Sequence, residues 1–317
     1  MNSASPLYLI DASIYIFQAY FSPYNEVSDD QGEDISAIVG FIQFLLSLQR
    51  RERPSFGAIA MDNALFTGFR HQLSQDYKSN RELPDENLAR QLGLCADSAM
   101  ALGWPVFASE EFEADDIIGT LAERSRATRP QSHTDGVCIV SRDKDLAQLI
   151  KEDSDIMWDY SGNKRRSRAE IEAELGLPTT AIPDYLGLVG DAVDCIAGVP
   201  GVGPVKAKAL LSHFGDIETM FENLAEVAQL SFRGAKSLAS TLSTFEEQAL
   251  LCKKLATIVR EPECCREAFS LVDHQELQLS DPRPVEFAAL LREAGLPSGM
   301  RQRFERAADA LLESRSQ

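Results

Sequence analysis

The chain has 317 residues, of which 44% are hydrophobic and 25% charged, and this is the composition of an ordinary soluble globular protein of about two domains. Disorder, a collagen-like repeat and a disulfide scaffold are excluded, and no apolar run approaches the roughly 20 residues that span a bilayer. The formal net charge of −18 is unusual for a nucleic-acid binder, whose footprint is normally basic.

Short apolar runs alternate with helical patterns along the first half of the chain. Continuous apolar strands separated by helices predict an α/β fold with a mostly parallel sheet covered on both faces. The predicted strands are Leu7–Ile10, Phe56–Met61, Pro105–Ala108, Val137–Val140 and Asp155–Trp158. The predicted helices are Ile35–Gln49, Glu86–Leu102, Asp115–Arg124 and Lys144–Lys151.

The second half is richer in helical patterns after Arg168, so a domain boundary is predicted near residue 180. The last dozen residues are expected to fray. Six cysteines, at positions 95, 138, 195, 252, 264 and 265, show no metal-ligand spacing. We therefore expect reduced thiols, a cytoplasmic location and no membrane association.

Carboxylates follow the predicted strands at the point where each strand ends. Asp11, Asp62 and Asp143 come directly after strands, and an acidic group precedes the helix that follows the third strand. The carboxyl ends of parallel strands share one edge of a sheet, which is where ligands bind. Crowded acids repel one another unless cations compensate them, and ligands that are all oxygen favour Mg²⁺ or Mn²⁺. The acids in question are Asp11, Asp62, Glu113, Asp115, Asp116, Asp143, Asp145, Asp191 and Asp194.

A structural alternative exists for two of the acidic pairs. Asp143 could cap the helix that begins at Lys144, and Asp115 and Asp116 could favour the positive end of the helix Ile117–Arg124. Capping does not explain why Asp11 and Asp62 fall on the same edge. The whole set therefore favours a metal site.

A glycine-rich segment, Gly198-Val-Pro-Gly-Val-Gly-Pro204, precedes an apolar-periodic helix. Amides at such a hairpin and helix start suit a phosphate, and Lys206 and Lys208 add positive charge. The alternative is a packing turn between two helices. Its position next to Asp191 and Asp194 favours phosphate binding beside a metal site.

These motifs together resemble the bacterial 5′-nuclease family, which includes stand-alone enzymes and the 5′→3′ exonuclease region of DNA polymerase I. The resemblance covers roughly residues 7–295 and rests on motifs that occur in the family's order. They are Leu9-Ile-Asp-Ala-Ser13, Phe112-Glu-Ala-Asp-Asp-Ile-Ile-Gly119, Asp143-Lys-Asp-Leu-Ala-Gln-Leu149, Gly190-Asp-Ala-Val-Asp194 and Gly198-Val-Pro-Gly-Val-Gly203.

The resemblance implies a PIN-like catalytic domain at 1–180, with a helical arch at about 68–95. It also implies a duplex-binding helical domain at 181–295 that contains a helix-hairpin-helix motif, followed by a tail at 296–317. The activity would be a 5′→3′ exonuclease and flap endonuclease of replication and repair, acting on DNA 5′ ends, flaps and junctions. A monomer with a functional link to a separate DNA polymerase is expected.

The resemblance implies two divalent ions. One would lie among Asp11, Asp62, Glu113, Asp115 and Asp116, and the second among Asp143, Asp145, Asp191 and Asp194, with Asp116 shared. In the arch, Lys78 and Arg81 would grip the scissile phosphate, Tyr77 would stack on a terminal base, and Arg70 would contact DNA. A buried Tyr77 is the alternative. The hairpin would hold the duplex through Gly198, Gly201, Gly203, Lys206 and Lys208, with K⁺ bound by hairpin carbonyls.

Four positions depart from the family pattern. An arginine usual after the first aspartate is Gln18, a usual glycine is Arg142, and the usual Asp-Asn-Ile-Pro-Gly reads Asp194-Cys-Ile-Ala-Gly198. None is an implied metal ligand. The departures keep open a second hypothesis, a junction-binding protein of the same fold with weakened or lost catalysis.

Overall fold

The computed structural model describes residues 5–22, 26–64, 66–130, 135–232, 234–261 and 267–315. A six-stranded sheet with the strand order β3-β2-β1-β4-β5-β6 forms its centre, and every pairing is parallel except that of β5 with β6. This confirms the predicted mostly parallel sheet flanked by helices. The strands are β1 Leu7–Asp11, β2 Phe56–Asp62, β3 Val106–Ser109, β4 Val137–Val140, β5 Ile156–Asp159 and β6 Lys164–Ser167.

Helices cover both faces of the sheet. Alternate residues of β1 enter different cores: Tyr8 and Ile10 join one cluster, and Leu7 and Leu9 join the other. This two-residue period follows from the strand geometry and explains why β1 is apolar without interruption. The helices of this half are α1 Ala12–Tyr20, α2 Ser36–Glu52, α3 Phe69–Leu73, α4 Glu86–Ala101 and α5 Ala114–Thr128.

Several elements of this half differ from the sequence-based prediction, which also lacks α1 and α3. The predicted Lys144–Lys151 helix is a short 3₁₀ helix, Asp145–Leu149. The strand β6 was not predicted, because the sequence Lys-Arg-Arg-Ser lacks any apolar run. It pairs antiparallel at the sheet edge, where charged side chains are tolerated. The guanidinium of Arg165 lies 4.1 Å from the ring centroid of buried Trp158, which gives this strand an inner contact.

The predicted helical arch over 68–95 is wrong in its second part. Residues 74–80 form turns after the short α3, and α4 is a core helix whose Leu88, Leu94 and Cys95 are buried in the cluster that also contains α2 side chains. A helix with a buried apolar stripe cannot stand free as an arch. The segment that crosses the sheet edge is therefore the turn-rich stretch 74–85.

A separate cluster of apolar side chains forms the core of the helical lobe, which follows the sheet in the chain. It extends from Leu177 to Ala249 and includes Leu188, Leu210 and Leu242. The helices from this point of the chain to its end are α6 Arg168–Leu175, α7 Ile182–Val189, α8 Pro204–Phe214, α9 Ile217–Glu222, α10 Leu224–Val227, α11 Ala235–Thr244, α12 Glu246–Ala256, α13 Pro284–Glu293 and α14 Ser298–Arg315.

The expectation that the last dozen residues fray is wrong for the part of them that the structure describes, which is helical up to position 315. The helix α14 continues to Arg315, and its Phe304 and Ala308 are buried in the same cluster as Phe41 and Leu45 of α2. The side chains of Leu255 and Phe269 likewise pack in a cluster under the sheet. Side chains from residues 252–261 and 267–315 thus pack in the clusters that flank the sheet, and the bounds 181–295 of the helical domain stay a prediction.

Among the described helices, none is long and apolar enough to cross a bilayer. Cys95, Cys138, Cys195 and Cys252 are free thiols, whereas Cys264 and Cys265 lie outside the described residues.

Candidate active site

The carboxyl edge of the sheet borders a cavity of about 1050 Å³. Asp11 is the last residue of β1, Asp62 is the last of β2, and Asp143 lies in the loop after β4. Glu113 and Asp115 reach the same cavity from the start of α5, which follows β3. Five predicted acids from four connections therefore line one space, because neighbouring parallel strands end side by side.

Hydrogen bonds set the positions of these acids. The Ser141 hydroxyl donates to Asp11 Oδ2 at 2.9 Å and accepts from the Asp143 amide at 3.0 Å. The Ala114 amide donates to Asp62 Oδ1 at 2.7 Å, which ties the end of β2 to the start of α5. The sequence alone did not identify Ser141 as a site residue, because its role depends on Asp11, which is 130 residues away.

The carboxylates have unusual acidities. Burial, followed by the neighbouring Asp62, raises the pKa of Asp11 to about 7. Burial and the charge of Asp143 raise the pKa of Asp145 to about 7, and similar causes hold that of Asp115 well above its ordinary value. Asp115 takes part in no side-chain hydrogen bond or ion pair with a described residue. A carboxyl group with a raised pKa and no partner in a cavity is a candidate ligand for a cation, which would stabilise its charged form.

Two cations of the 74–85 segment lie over the acids. Lys78 is buried, and its Nζ is 2.9 Å from Glu113 Oε2 and 3.8 Å from Asp194 Oδ2. Arg81 donates to Asp194 Oδ1 at 2.9 Å. Burial alone would raise the pKa of Glu113, but the charges of Lys78 and Arg70 outweigh burial and lower it. Glu113 is therefore a carboxylate even where its neighbours hold protons.

The segment is also tied to the loop that carries Asp191 and Asp194. The Lys78 amide donates to the Asp194 carbonyl at 3.1 Å, and the Asn80 side chain donates to the Val193 carbonyl at 3.2 Å. The loop itself closes through paired backbone hydrogen bonds between Asp191 and Ile196. This loop brings Asp191 and Asp194 near Asp143 and Asp145, whose pKa values their charges help to raise.

Asp116 is not among the residues that line the cavity, so its role as a shared metal ligand and catalytic residue stays a prediction. Its side chain is 0% exposed, and Arg70 binds both of its carboxylate oxygens, at 2.5 and 2.7 Å. The amides of Glu113 and Val259 donate to the same carboxylate. Helical geometry turns Asp116 about 100° away from Asp115, into the core.

The predictions for Arg70 and Tyr77 as DNA-contacting residues are wrong. Arg70 is 3% exposed and donates to the carbonyls of Leu255 and Thr257 as well as to Asp116. Tyr77 is 2% exposed and donates to Glu113 Oε2 at 2.9 Å, so its ring offers no face to a base. The buried alternative weighed for Tyr77 is the one observed.

The glycine-rich segment lies between α7 and α8, and its glycines have different roles. Gly198 is buried with φ +65°, and an added Cβ would collide with the backbone nitrogen of Gly190, so this glycine is required for packing. Gly201 is exposed with φ +76°, and Gly203 leads into α8 with open space around it. Lys206 Nζ donates to the Gly201 carbonyl at 2.7 Å, and Lys208 is half-buried.

Within the described ranges, no three carboxylate, imidazole or thiol groups converge closely enough to hold a metal ion as they stand. Several acids are instead paired with Lys78, Arg81 or Arg70, or with backbone amides. Mg²⁺ does not require such a cage, because it commonly keeps several waters and binds through one or two carboxylates. The oxygen-only donors and the unpaired Asp115 fit a hard divalent ion of this kind.

Comparisons with known proteins show the family and the fold of this chain. A family model described as 5'-3' exonuclease, N-terminal resolvase-like domain, matches residues 6–176, and one described as 5'-3' exonuclease, C-terminal SAM fold, matches residues 177–279. The 5'-3' exonuclease of Buchnera aphidicola subsp. Baizongia pistaciae is 32% identical over 250 residues, covering 79% of this chain and 80% of that protein. DNA polymerase I of Pseudomonas aeruginosa is 36% identical over 293 residues, but this chain spans 30% of the polymerase's length.

Two solved structures share the fold at low sequence identity. The zinc-bound T5 5'-exonuclease has a TM-score of 0.62 at 15% identity, and the match covers 97% of this chain and 99% of that one. The catalytic core of Rad2 in complex with DNA substrate has a TM-score of 0.60 at 16% identity, with 98% and 93% covered.

Proposed function

Because this chain belongs to the 5'-3' exonuclease family, we propose that it is a divalent-metal-dependent hydrolase that cuts phosphodiester bonds at DNA 5′ ends and 5′ flaps. The observation that carries this proposal is the cavity at the carboxyl edge of the sheet, where five acids lie beneath Lys78 and Arg81. Roles in replication and repair, in the cytoplasm, follow from such a substrate.

The residues that would hold metal ions fall into two groups. Asp11, Asp62, Glu113 and Asp115 would serve one ion, and the pairing of Asp116 with Arg70 favours leaving Asp116 out of this group. The second group is Asp143, Asp145, Asp191 and Asp194. Mg²⁺ and Mn²⁺ suit these oxygen ligands, and bound divalent ions would supply an activated water and neutralise charge on the phosphate.

The side chains around the cavity would position the DNA strand and balance its negative charge. Lys78 and Arg81 are held by Glu113 and Asp194, and each can transfer hydrogen bonds to a phosphate oxygen when the strand enters. Ser141 fixes the orientation of Asp11 and, through its backbone contact, the loop of Asp143. Phosphoryl transfer depends chiefly on positioning and charge stabilisation of this kind.

The helical lobe would hold the duplex that adjoins the cut. The exposed Gly201 and half-buried Gly203 leave open space for a sugar–phosphate backbone, and Lys206 and Lys208 add charge. Gly198 supports the turn from inside. K⁺ at the hairpin stays a prediction: the Gly198 and Gly201 carbonyls already accept hydrogen bonds from Gln248 and Lys206.

A labelled 5′-flap DNA, incubated with the purified protein in Mg²⁺ or in chelator, tests the function. We expect metal-dependent cuts near the flap junction, lost in Asp115→Asn. Flap binding without cutting, across Mg²⁺ and Mn²⁺, would contradict the proposal and support the junction-binding alternative. That alternative has no use for an unpaired carboxylate such as Asp115 inside the cavity. A monomer that works beside a separate DNA polymerase completes the proposal.

A further inference from the structure

Three cationic side chains line the cavity, and they differ in how they are held. Lys78 and Arg81 each lie 2.9 Å from a carboxylate oxygen of Glu113 or Asp194. Arg142 has a single ionic neighbour among the described residues, Asp159, whose Oδ2 lies 3.6 Å from the Arg142 Nε. This distance is too long for a hydrogen bond. The fork-shaped end of Arg142 is therefore available to a ligand.

Hydrogen bonds of the residues on both sides of Arg142 hold its backbone in place. Ser141 donates to Asp11, and the Asp143 amide donates back to the Ser141 hydroxyl at 3.0 Å. Arg142 thus stands between two anchored residues that both belong to the acidic site. Its side chain is 52% exposed, so the guanidinium is at the solvent-facing mouth of the cavity.

Two polar side chains near Arg142, Gln18 and Asp159, already have hydrogen-bond partners. Gln18 is exposed in the cavity wall, and its Oε1 accepts a hydrogen bond from Ser161 at 2.7 Å. Asp159 is itself engaged, since its Oδ1 accepts from the Gly162 amide at 2.9 Å. A DNA strand that enters the cavity from this side would contact the Arg142 guanidinium before it reaches the acids.

We propose that Arg142, in the loop after β4, binds the backbone phosphate next to the one that is cut, and so sets substrate affinity. The inference rests on the proposed function, because its ligand is the phosphate backbone of that DNA substrate. A guanidinium can donate two parallel hydrogen bonds to a phosphate, which Gln18 cannot match. A cavity rich in acids repels a polyanion, so a cation at its mouth has a direct effect on binding.

Single-turnover cleavage of the 5′-flap DNA, measured against enzyme concentration and salt, tests the role of Arg142. In Arg142→Gln we expect half-saturation to require about tenfold more enzyme, with the maximal rate close to that of the wild type. The slope of log affinity against log salt should fall by about 0.7 to 0.9. Lys164→Gln is the matched control: it removes an exposed cation of β6 that lies outside the cavity and should change neither quantity.

A rescue variant separates a phosphate contact from a structural effect. Gln18→Arg in the Arg142→Gln background places a guanidinium in the same cavity and should recover most of the lost affinity. Unchanged affinity and salt slope in Arg142→Gln, or a fall confined to the maximal rate, would overturn the inference while the proposed function stands. A wild-type protein that does not cleave the flap would overturn the proposed function itself.

Discussion

Arg70 and Asp116 form a fully buried, two-point ion pair, although 46 residues separate them in the chain. Arg70 also donates to the carbonyls of Leu255 and Thr257, so one guanidinium joins α3, α5 and the end of α12. Beside it, Asp115 faces the cavity with no partner among the described residues. The two neighbouring aspartates therefore have different roles, and separate substitutions can distinguish them.

We expect Asp116→Ala to lower the free energy of unfolding by about 3–5 kcal/mol, because it leaves the Arg70 charge buried without its partner. Urea unfolding in the presence of chelator measures this. The double variant Arg70→Met/Asp116→Leu should recover a large part of the loss, since it removes both charges together. Wild-type stability in Asp116→Ala, combined with lost cleavage, would return Asp116 to the set of metal ligands.

Asp115→Asn should behave in the opposite way. It removes a half-buried carboxyl group that lacks an ionic partner among the described residues, so the metal-free protein should melt at the same temperature as the wild type or higher. Cleavage in Mg²⁺ should fall at least about 100-fold if the carboxylate holds a metal ion. The pair of measurements is a melting curve in chelator and a single-turnover rate. A lower melting temperature with intact cleavage would show that Asp115 is structural.

The stability of the metal-free protein should depend on pH through Asp11 and Asp145. Both have a pKa of about 7 in the folded state, so folding favours their protonated forms. The contribution of these two groups to the free energy of unfolding is fully present below their unfolded pKa of about 4. It is lost as the pH rises towards 7. We expect the melting temperature in chelator to fall between pH 5 and pH 7.5.

Asp145→Asn supplies the control for this pH effect, because its amide cannot titrate. The fall between pH 5 and pH 7.5 should be shallower in the variant than in the wild type. Added Mg²⁺ should also protect the wild type more at pH 7.5 than at pH 5, since the ion and the protons compete for the same oxygens. Identical slopes in both proteins would rule out Asp145 as the titrating group.

Lys78→Met should slow cleavage about 100-fold at saturating enzyme, because the buried ammonium is the cation nearest to Glu113. The metal concentration that supports half-maximal cleavage should not rise, since no ligand is removed. Single-turnover rates over a Mg²⁺ titration measure both quantities, with Lys164→Met as the control outside the cavity. A normal rate for Lys78→Met would exclude Lys78 from the phosphate contact.

Lys206→Ala should weaken binding to flap DNA with a duplex arm but not to a single strand of equal length. Removing one lysine that binds a phosphate should reduce the slope of log affinity against log salt by about one. Binding is measured in Ca²⁺, with Lys236→Ala as a control for an exposed lysine of α11. Equal losses of affinity on both DNAs would place Lys206 on the strand path instead of the duplex path.

The sequence predicted those site residues whose positions follow from local rules. Asp11 and Asp62 end continuous apolar strands, so the parallel sheet alone brings them together. Asp115 and Asp116 could not be told apart in this way, because the difference depends on Arg70, a partner from a distant segment. The resemblance to the 5′-nucleases did not separate them either.

Contacts between distant parts of the chain explain the remaining differences. The helix α14 looks polar enough to fray, yet Phe304 and Ala308 suffice to dock it on α2. Tyr77 lies in a polar stretch, but burial against Glu113 and His71 removes it from solvent. No short stretch of sequence around α14 or Tyr77 indicates that these side chains are buried.

The charged strand β6 has a consequence for how molecules of this protein meet. An open sheet edge with free backbone groups can recruit a strand from another chain, which is the first step towards aggregation. Here that edge carries Lys164, Arg165 and Arg166, whose side chains pair with Glu174 and Glu52. A strand that docked on this edge would have to crowd against these ion pairs, so the charged sequence of β6 disfavours pairing with a strand of another chain.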